Sequence, residues 1–196
     1  MARALRIGIF GGSFDPPHIG HLMIAEFARR GLSLDKVFLV PAYRPPHKRG
    51  NHPATAQDRL TMARLSVRGN PSMKVSDLEL KRKGVSYTYD TVRAFRKRFP
   101  AASLFLILGG DSLLQFHLWK EPEKILSNVT LAVYRRPRSA RTIKGILKKK
   151  VVWIKGPLVD LSSSDLRSMI AEGEGIRYLV REDVHRFIKR KHLYGA

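Results

Sequence analysis

Short, nearly continuous apolar runs rich in β-branched and aromatic residues recur along the chain, and between them lie stretches with helix-like patterning. The runs at Leu5–Phe10, Val37–Val40, Lys74–Ser76, Ser103–Leu108, Val129–Arg135 and Val151–Ile154 predict strands. A continuous run, rather than an alternating one, is expected of a strand covered on both faces, as in a parallel sheet. Helices are predicted at His18–Arg30, Thr55–Arg68, Thr88–Arg98, Arg141–Lys149, Ser164–Ala171 and Arg181–Lys191. Thr55 and Asp58 stand at capping-box spacing, and Gly31 falls where a helix C-cap is expected. This alternation predicts an α/β fold built on a doubly wound parallel sheet. The chain shows no repeat, low-complexity tract or linker, so residues 1–196 are expected to form a single domain. Sheets of this kind bind ligands beyond the carboxyl ends of their strands, which directs attention to the strand ends.

Composition narrows the classes. With no cysteine, a disulfide framework and a thiolate metal site are excluded, in keeping with a reducing compartment. The N-terminus has no apolar segment leading to a small-residue cleavage site. The apolar stretch Leu104–Leu108 is too short to span a bilayer, so a cytoplasmic protein with no membrane partner is expected. Lys and Arg total 37 against 16 acidic residues, a formal charge of +21. Such a surplus attracts polyanions and speeds the arrival of anionic small molecules, but does not tell RNA, a membrane surface and a nucleotide apart. A solvated basic surface is the blandest account of it. The runs Lys81–Lys83, Arg135–Arg141 and Lys148–Lys150 exceed what any phosphate site requires.

Two motifs carry chemistry. The first predicted strand ends in Gly11 and Gly12, followed by Ser13-Phe14-Asp15-Pro16-Pro17 and His18-Ile19-Gly20-His21. Paired glycines allow a tight turn and close approach of a ligand to the backbone. The helix that follows presents unpaired N–H groups and the positive end of its dipole to an anion. His18 and His21, three apart, share a helix face and can reach one anion together, while Gly20 leaves room for a nucleotide. Taken alone, two such histidines are more often surface or capping residues. Asp15 is the only nearby carboxylate, so a metal site would lack ligands. The pattern is neither GxGxxG nor a P-loop. The second motif, Leu161-Ser162-Ser163-Ser164-Asp165-Leu166-Arg167, opens a predicted helix. Its serines could simply be caps. With Arg167 one turn in, hydroxyls, helix N–H groups and a guanidinium could converge on a polyphosphate.

The stretch GGSFDPPHIGHL resembles the signature of the HxGH nucleotidyltransferases, and LSSSDLR is similar to their ISSTxIR motif, with Leu, Ser and Leu in place of Ile, Thr and Ile. The resemblance implies the Rossmann-like fold of that superfamily, with residues from about 157 to 196 carrying the second motif and the closing helices. It implies catalytic roles for His18, His21 and Arg167. An ATP site follows, formed by Gly11, Gly12, Ser13, Phe14, His18, Gly20, His21, Ser162, Ser163, Ser164 and Arg167. The letters HIGH also mark class I aminoacyl-tRNA synthetases, but a KMSKS-like loop and a long anticodon-binding region are absent. The implied reaction is in-line attack by an acceptor phosphate on the α-phosphorus of ATP. A phosphate monoester, with a second pKa of about 6, needs no general base. Positioning and charge stabilisation then suffice. Mg²⁺ is expected to bridge the phosphates, with no protein ligands of its own.

Three further stretches bear on the acceptor. Pro41–Lys48 is a proline-rich loop ending in basic residues, Ser86–Thr91 opens a helix, and Gly109–Leu113 follows an apolar strand with Phe116 and Trp119 downstream. Their blandest readings are a surface turn, an N-cap and a core tryptophan. Together they resemble the bacterial nicotinate-nucleotide adenylyltransferases, with a PxxxPPHK-like loop, SYTxDT, GxDxL, FxxW and a tail similar to IRYLV…FIKRKHLYG, from Arg6 almost to Gly195. The resemblance implies ATP and nicotinate mononucleotide as substrates in NAD biosynthesis. Thr88, the backbone near Tyr89, Trp119 and Lys120 would receive the nicotinate, Asp111 the ribose, and Gly109 and Lys48 would complete the site. Nicotinamide mononucleotide and phosphopantetheine remain alternative acceptors. A basic RNA-binding module with vestigial catalysis is the alternative of another class. Nucleic acid is not required by the first reading, although the charge is compatible with polyanion contact.

Overall fold

The computed structural model describes residues 3–46, 53–134 and 150–196. Lys48 and the helix expected at 141–149 lie outside the described residues. Among the described residues, six strands form one sheet: β1 (Arg6–Gly12), β2 (Lys36–Pro41), β3 (Met73–Val75), β4 (Ser103–Gly109), β5 (Thr130–Tyr134) and β6 (Val151–Ile154). Their order is β3-β2-β1-β4-β5-β6, and every pairing is parallel. The chain therefore winds outward one way from β1 and the other way from β4, and a crevice opens where the direction reverses.

Both faces of the sheet are covered, as continuous apolar strands require. Ile7 and Ile9 of β1 and Leu104 and Leu106 of β4 pack with Val92 and Phe95 on one face. Phe10, Phe105 and Ile107 pack with Ile24, Ala25 and Ala28 on the other. The helices that supply these layers are α1 (Ile19–Gly31), α2 (Ala56–Ser66), α3 (Leu78–Arg82) and α4 (Thr88–Arg98), then α5 (Gly110–Leu114), α6 (Pro122–Leu126), α7 (Ser163–Ala171) and α8 (Glu182–Arg190). A third cluster joins Met62 of α2, Leu166 and Ile170 of α7, and Val184, Phe187 and Ile188 of α8. This cluster seats the C-terminal elements beside the end of β1, where the first motif lies.

The expected elements appear with ends shifted by a residue or two, and several depart in kind. His18 is the N-cap of α1 rather than its first turn, with extended backbone. Gly31 is the last helical residue, Leu32 is the C-cap, and the left-handed residue is Ser33 at φ 46°. The glycine thus lies two residues before the turn it was expected to make. Thr55 does cap α2: its Oγ1 accepts from the N–H of Asp58 at 3.1 Å and donates to the Asp58 carboxylate at 2.6 Å. The five-residue helices α3, α5 and α6 were not predicted. Among the described residues, no helix is long and apolar enough to cross a membrane.

Candidate active site

A cleft of about 450 Å³ opens at the reversal point, between the ends of β1 and β4. Gly11, Gly12, Ser13 and His21 line one side, and Thr88, Gly109, Asp111, Trp119 and Lys120 line the other. Residues more than 100 positions apart in sequence thus face one space. The loop after β2 contributes Pro45 and Pro46 to its wall.

The histidine loop is built from the inside. Phe14, only 1% exposed, holds a left-handed backbone at φ 51° and packs its ring edge-on to His21, 5.0 Å between centroids. The His18 and His21 rings lie 3.8 Å apart. The His18 N–H donates to Nδ1 of His21 at 3.3 Å, so Nδ1 is an acceptor and Nε2 carries the ring's donor proton in the neutral form. His21 reaches the cleft, whereas His18 is 2% exposed and lies beneath the loop. Gly20 also has a packing task. A Cβ there would stand 2.9 Å from Nδ1 and 3.0 Å from Cε1 of His18, so the missing side chain makes room for the buried histidine.

The second motif docks onto the first through main-chain oxygens. Ser162 caps α7, its Oγ accepting from the N–H of Asp165 at 3.2 Å. Asp165 returns the contact to the Ser162 N–H and hydroxyl, which holds its carboxyl below the usual range. Ser163 Oγ donates to the Pro16 carbonyl at 2.9 Å. Arg167 Nη1 donates to the Asp15 carbonyl at 2.9 Å, and Nη2 to Ser164 Oγ at 3.1 Å. Ser162 is thus a cap, as its bland reading had it, and the segment also docks on the first motif. Ser162, Ser163, Ser164 and Arg167 are placed beside the histidine loop rather than in the cleft wall.

On the acceptor side, Trp119 is partly buried against Phe116, with ring centroids 5.3 Å apart, and lines the cleft. Lys120 is steered by Asp90, 3.9 Å from its Nζ, and by the Tyr87 ring, 4.6 Å from Nζ to centroid. The Tyr89 ring turns away from the cleft to pack against the core. Ser86 does not cap α4, whose N-cap is Tyr87 without a side-chain bond. Its hydroxyl instead accepts from the N–H groups of Tyr43 and Arg44, at 2.9 and 3.3 Å, and ties the loop after β2 to the start of α4.

Two buried ionisable side chains, Arg59 below the cleft and Glu79 in its lining, were not anticipated. Arg59 of α2 is 1% exposed; its Nη1 donates to Ala42 O at 2.6 Å and Ser13 O at 3.0 Å, and its Nη2 to Tyr43 O at 3.1 Å. One guanidinium so joins the loops after β1 and β2. Burial pulls its pKa down, partly offset by the nearby Asp15 carboxylate. Glu79 of α3 is 5% exposed and accepts from the Thr91 hydroxyl. Burial pushes its carboxyl up, against the opposing pull of the Ser86 and Thr91 hydroxyls. A signal for Arg59 was present, as it sits beside Leu60 and Met62 on a helix that otherwise buries small and apolar residues. No group of three His, Asp or Glu side chains that could hold a metal occurs among the described residues.

A family model described as cytidylyltransferase-like matches residues 9–169. A probable nicotinate-nucleotide adenylyltransferase of Exiguobacterium sibiricum is 40% identical over 192 residues, covering 98% of this chain and 100% of that protein. One of the same description from Salinibacter ruber is 38% identical, covering 97% of this chain and 98% of its own length. The solved structure of Plasmodium falciparum nicotinic acid mononucleotide adenylyltransferase complexed with NaAD superposes with a TM-score of 0.80 at 20% identity, covering 97% of each chain. At that identity the likeness is one of fold.

Proposed function

We infer that this chain, which belongs to the cytidylyltransferase-like family and within it to the nicotinate-nucleotide adenylyltransferases, joins the AMP part of ATP to nicotinate mononucleotide. The products are nicotinate adenine dinucleotide and pyrophosphate, a step of NAD biosynthesis that we place in the cytoplasm. The observation that carries the reading is the shared cleft at the reversal of the sheet, with His21 and a glycine turn on one wall and Thr88, Asp111 and Trp119 on the other.

In the reaction, a phosphate oxygen of the mononucleotide attacks the α-phosphorus of ATP in line. A new P–O bond forms as the bond to the β-phosphate oxygen breaks, and pyrophosphate leaves. The attacking phosphate is mostly dianionic near neutral pH, its second pKa being about 6, so the site needs no base. The protein's task is to place the two phosphates and receive the charge that develops between them. His21, which lines the cleft and accepts at Nδ1, would offer Nε2–H to the phosphates. Gly11, Gly12 and Ser13 let the triphosphate lie close to the backbone. Five N–H groups fan out from a guanidinium, so the two contacts Arg167 makes leave capacity for a phosphate beside Ser162, Ser163 and Ser164. His18, buried below, supports His21. Magnesium would enter with ATP, held by the nucleotide rather than by side chains of this chain, and would supply partial neutralisation of the phosphate charge.

The acceptor would lie across the cleft, its ring against Trp119, its carboxylate near Thr88 and the backbone by Tyr89 and Lys120, and its ribose on Asp111. The test is pyrophosphate release with ATP and magnesium, comparing nicotinate mononucleotide, nicotinamide mononucleotide and phosphopantetheine. Fast release with the nicotinate compound alone is expected. Release only with another acceptor would overturn the assignment of Thr88 and Trp119, and release with none would overturn the activity.

A further inference from the structure

Near the C-terminal end of the described chain, a turn at Leu193–Gly195 folds back against α7 and α8. Leu193 and Tyr194 pack on the cluster formed by Met62, Leu166 and Phe187. Tyr194 adopts the left-handed region at φ 63° and ψ 13°. A side-chain-bearing residue is rarely held there unless its surroundings over-determine it. Its hydroxyl donates to Oδ1 of Asp15 at 2.6 Å and lies 4.0 Å from the Met62 sulfur. Asp15 is 1% exposed, and its carbonyl is the oxygen that Arg167 grips at 2.9 Å. One residue of the histidine loop is thereby held from two directions, by its carboxylate from the tail and by its main chain from α7.

We propose that Tyr194 is a positioning residue of the nucleotide site: it acts through Asp15 to fix the loop that carries His18 and His21. The argument rests on the adenylyl-transfer reading only in naming what the loop does. Two residues separate Asp15 from His18, and both are prolines, so a displacement of Asp15 passes to the histidines with little slack. The contact is also one-directional in chemistry. Burial and the neighbouring carboxylate push the Tyr194 pKa far up, so the hydroxyl stays a donor throughout the range in which the protein would work. The guanidinium groups of Arg59 and Arg167 also face the phenol and pull its pKa part of the way back down. A tyrosine that served only to fill the seam between α2 and α7 would need its ring and not its hydroxyl.

Tyr194→Phe separates the two roles, because it keeps the ring and removes only the donor. With ATP at saturation and the protein fully folded at the assay temperature, kcat is expected to fall about tenfold, with KM for the acceptor changed less than twofold, as expected of a small misplacement of the catalytic groups. In a His21→Ala background the same change should cost less than twofold, since the group it positions is gone. Hydrogen exchange of the loop amides at residues 13–21, measured without substrate, should quicken in Tyr194→Phe. A kcat within twofold of wild type, an undiminished tenfold loss in the His21→Ala background, or unchanged loop exchange would each overturn the proposal. If the wild-type protein turned over none of the three acceptors, the activity reading would fail, and the exchange measurement would still decide the latch.

Discussion

Replacing Arg59 by Met tests whether one buried guanidinium holds the two loops that frame the cleft. Met is unbranched, of similar length and equally suited to a helix, so the packing of α2 is little disturbed while every donor is removed. The structure shows three bonds to lose, to Ser13 O, Ala42 O and Tyr43 O, all from a side chain 1% exposed. Hydrogen bonds to a charged group contribute about 1.5–3 kcal/mol each, a gross loss of about 4.5–9 kcal/mol. Against it stands the desolvation of the buried cation, which lowers the Arg59 pKa in the folded protein and is absent once the charge is gone. Breaking a buried charged set by removing one partner commonly costs about 3–5 kcal/mol. We expect a net loss near the lower end, about 3 kcal/mol, from those opposing terms. In urea the midpoint should fall with an unchanged slope. For a chain of this size that corresponds to a Tm lower by about 6–12 °C. Arg59→Lys should recover less than half, because one ammonium cannot span three carbonyls drawn from two loops. A loss below about 1 kcal/mol in Arg59→Met would refute the reasoning, since it would mean the carbonyls find other donors or water at little cost.

His21→Ala and Arg167→Ala should each lower turnover by about 10²–10³-fold, the usual effect of removing one preorganised donor, and near-wild-type rates in both would sink the assignment. Gly20→Ala should drive the buried His18 ring from its place, since the new Cβ would meet Nδ1 at 2.9 Å. Turnover should fall about 10²-fold from the misplacement while Tm holds, the helix gaining about 1 kcal/mol from alanine; turnover within twofold of wild type would show that the ring's position is immaterial. Glu79 gives a pH test. Its folded pKa is raised by burial, so above the ordinary glutamate value the folded protein binds more protons than the unfolded chain, and its contribution to stability falls as pH rises toward the folded pKa. Denaturation midpoints of Glu79→Gln, followed from pH 4 to 8, should lack that decline relative to wild type, and parallel curves would refute it.

The sheet was legible because covered parallel strands carry continuous apolar runs, and all six expected runs became strands with ends shifted by one or two residues. The short helices α3, α5 and α6 were not, since five residues complete barely more than one turn and leave no period to detect. At the site, the glycine turn and the histidine pair could be read because their chemistry is local. The partners of Arg59 could not, although its place beside Leu60 and Met62 hinted at burial: they are carbonyls of two distant loops, and a carbonyl leaves no mark in a sequence. The partners of Ser86 were hidden for a related reason. A serine beside a helix start reads as a cap, and only the folded chain brings the Tyr43 and Arg44 N–H groups to it.

That same invisibility has an evolutionary side in the junction between α7 and the histidine loop. Ser163 and Arg167 hold the loop by the carbonyls of Pro16 and Asp15, oxygens that every amino acid supplies. As far as this junction is concerned, selection acts on the course of the backbone and not on the letters at positions 15 and 16. Substitutions there need no matching change at 163 or 167, so the two segments would show no correlated substitution although they touch. A contact map inferred from covariation would leave a blank at the joint where the N-terminal and C-terminal motifs meet.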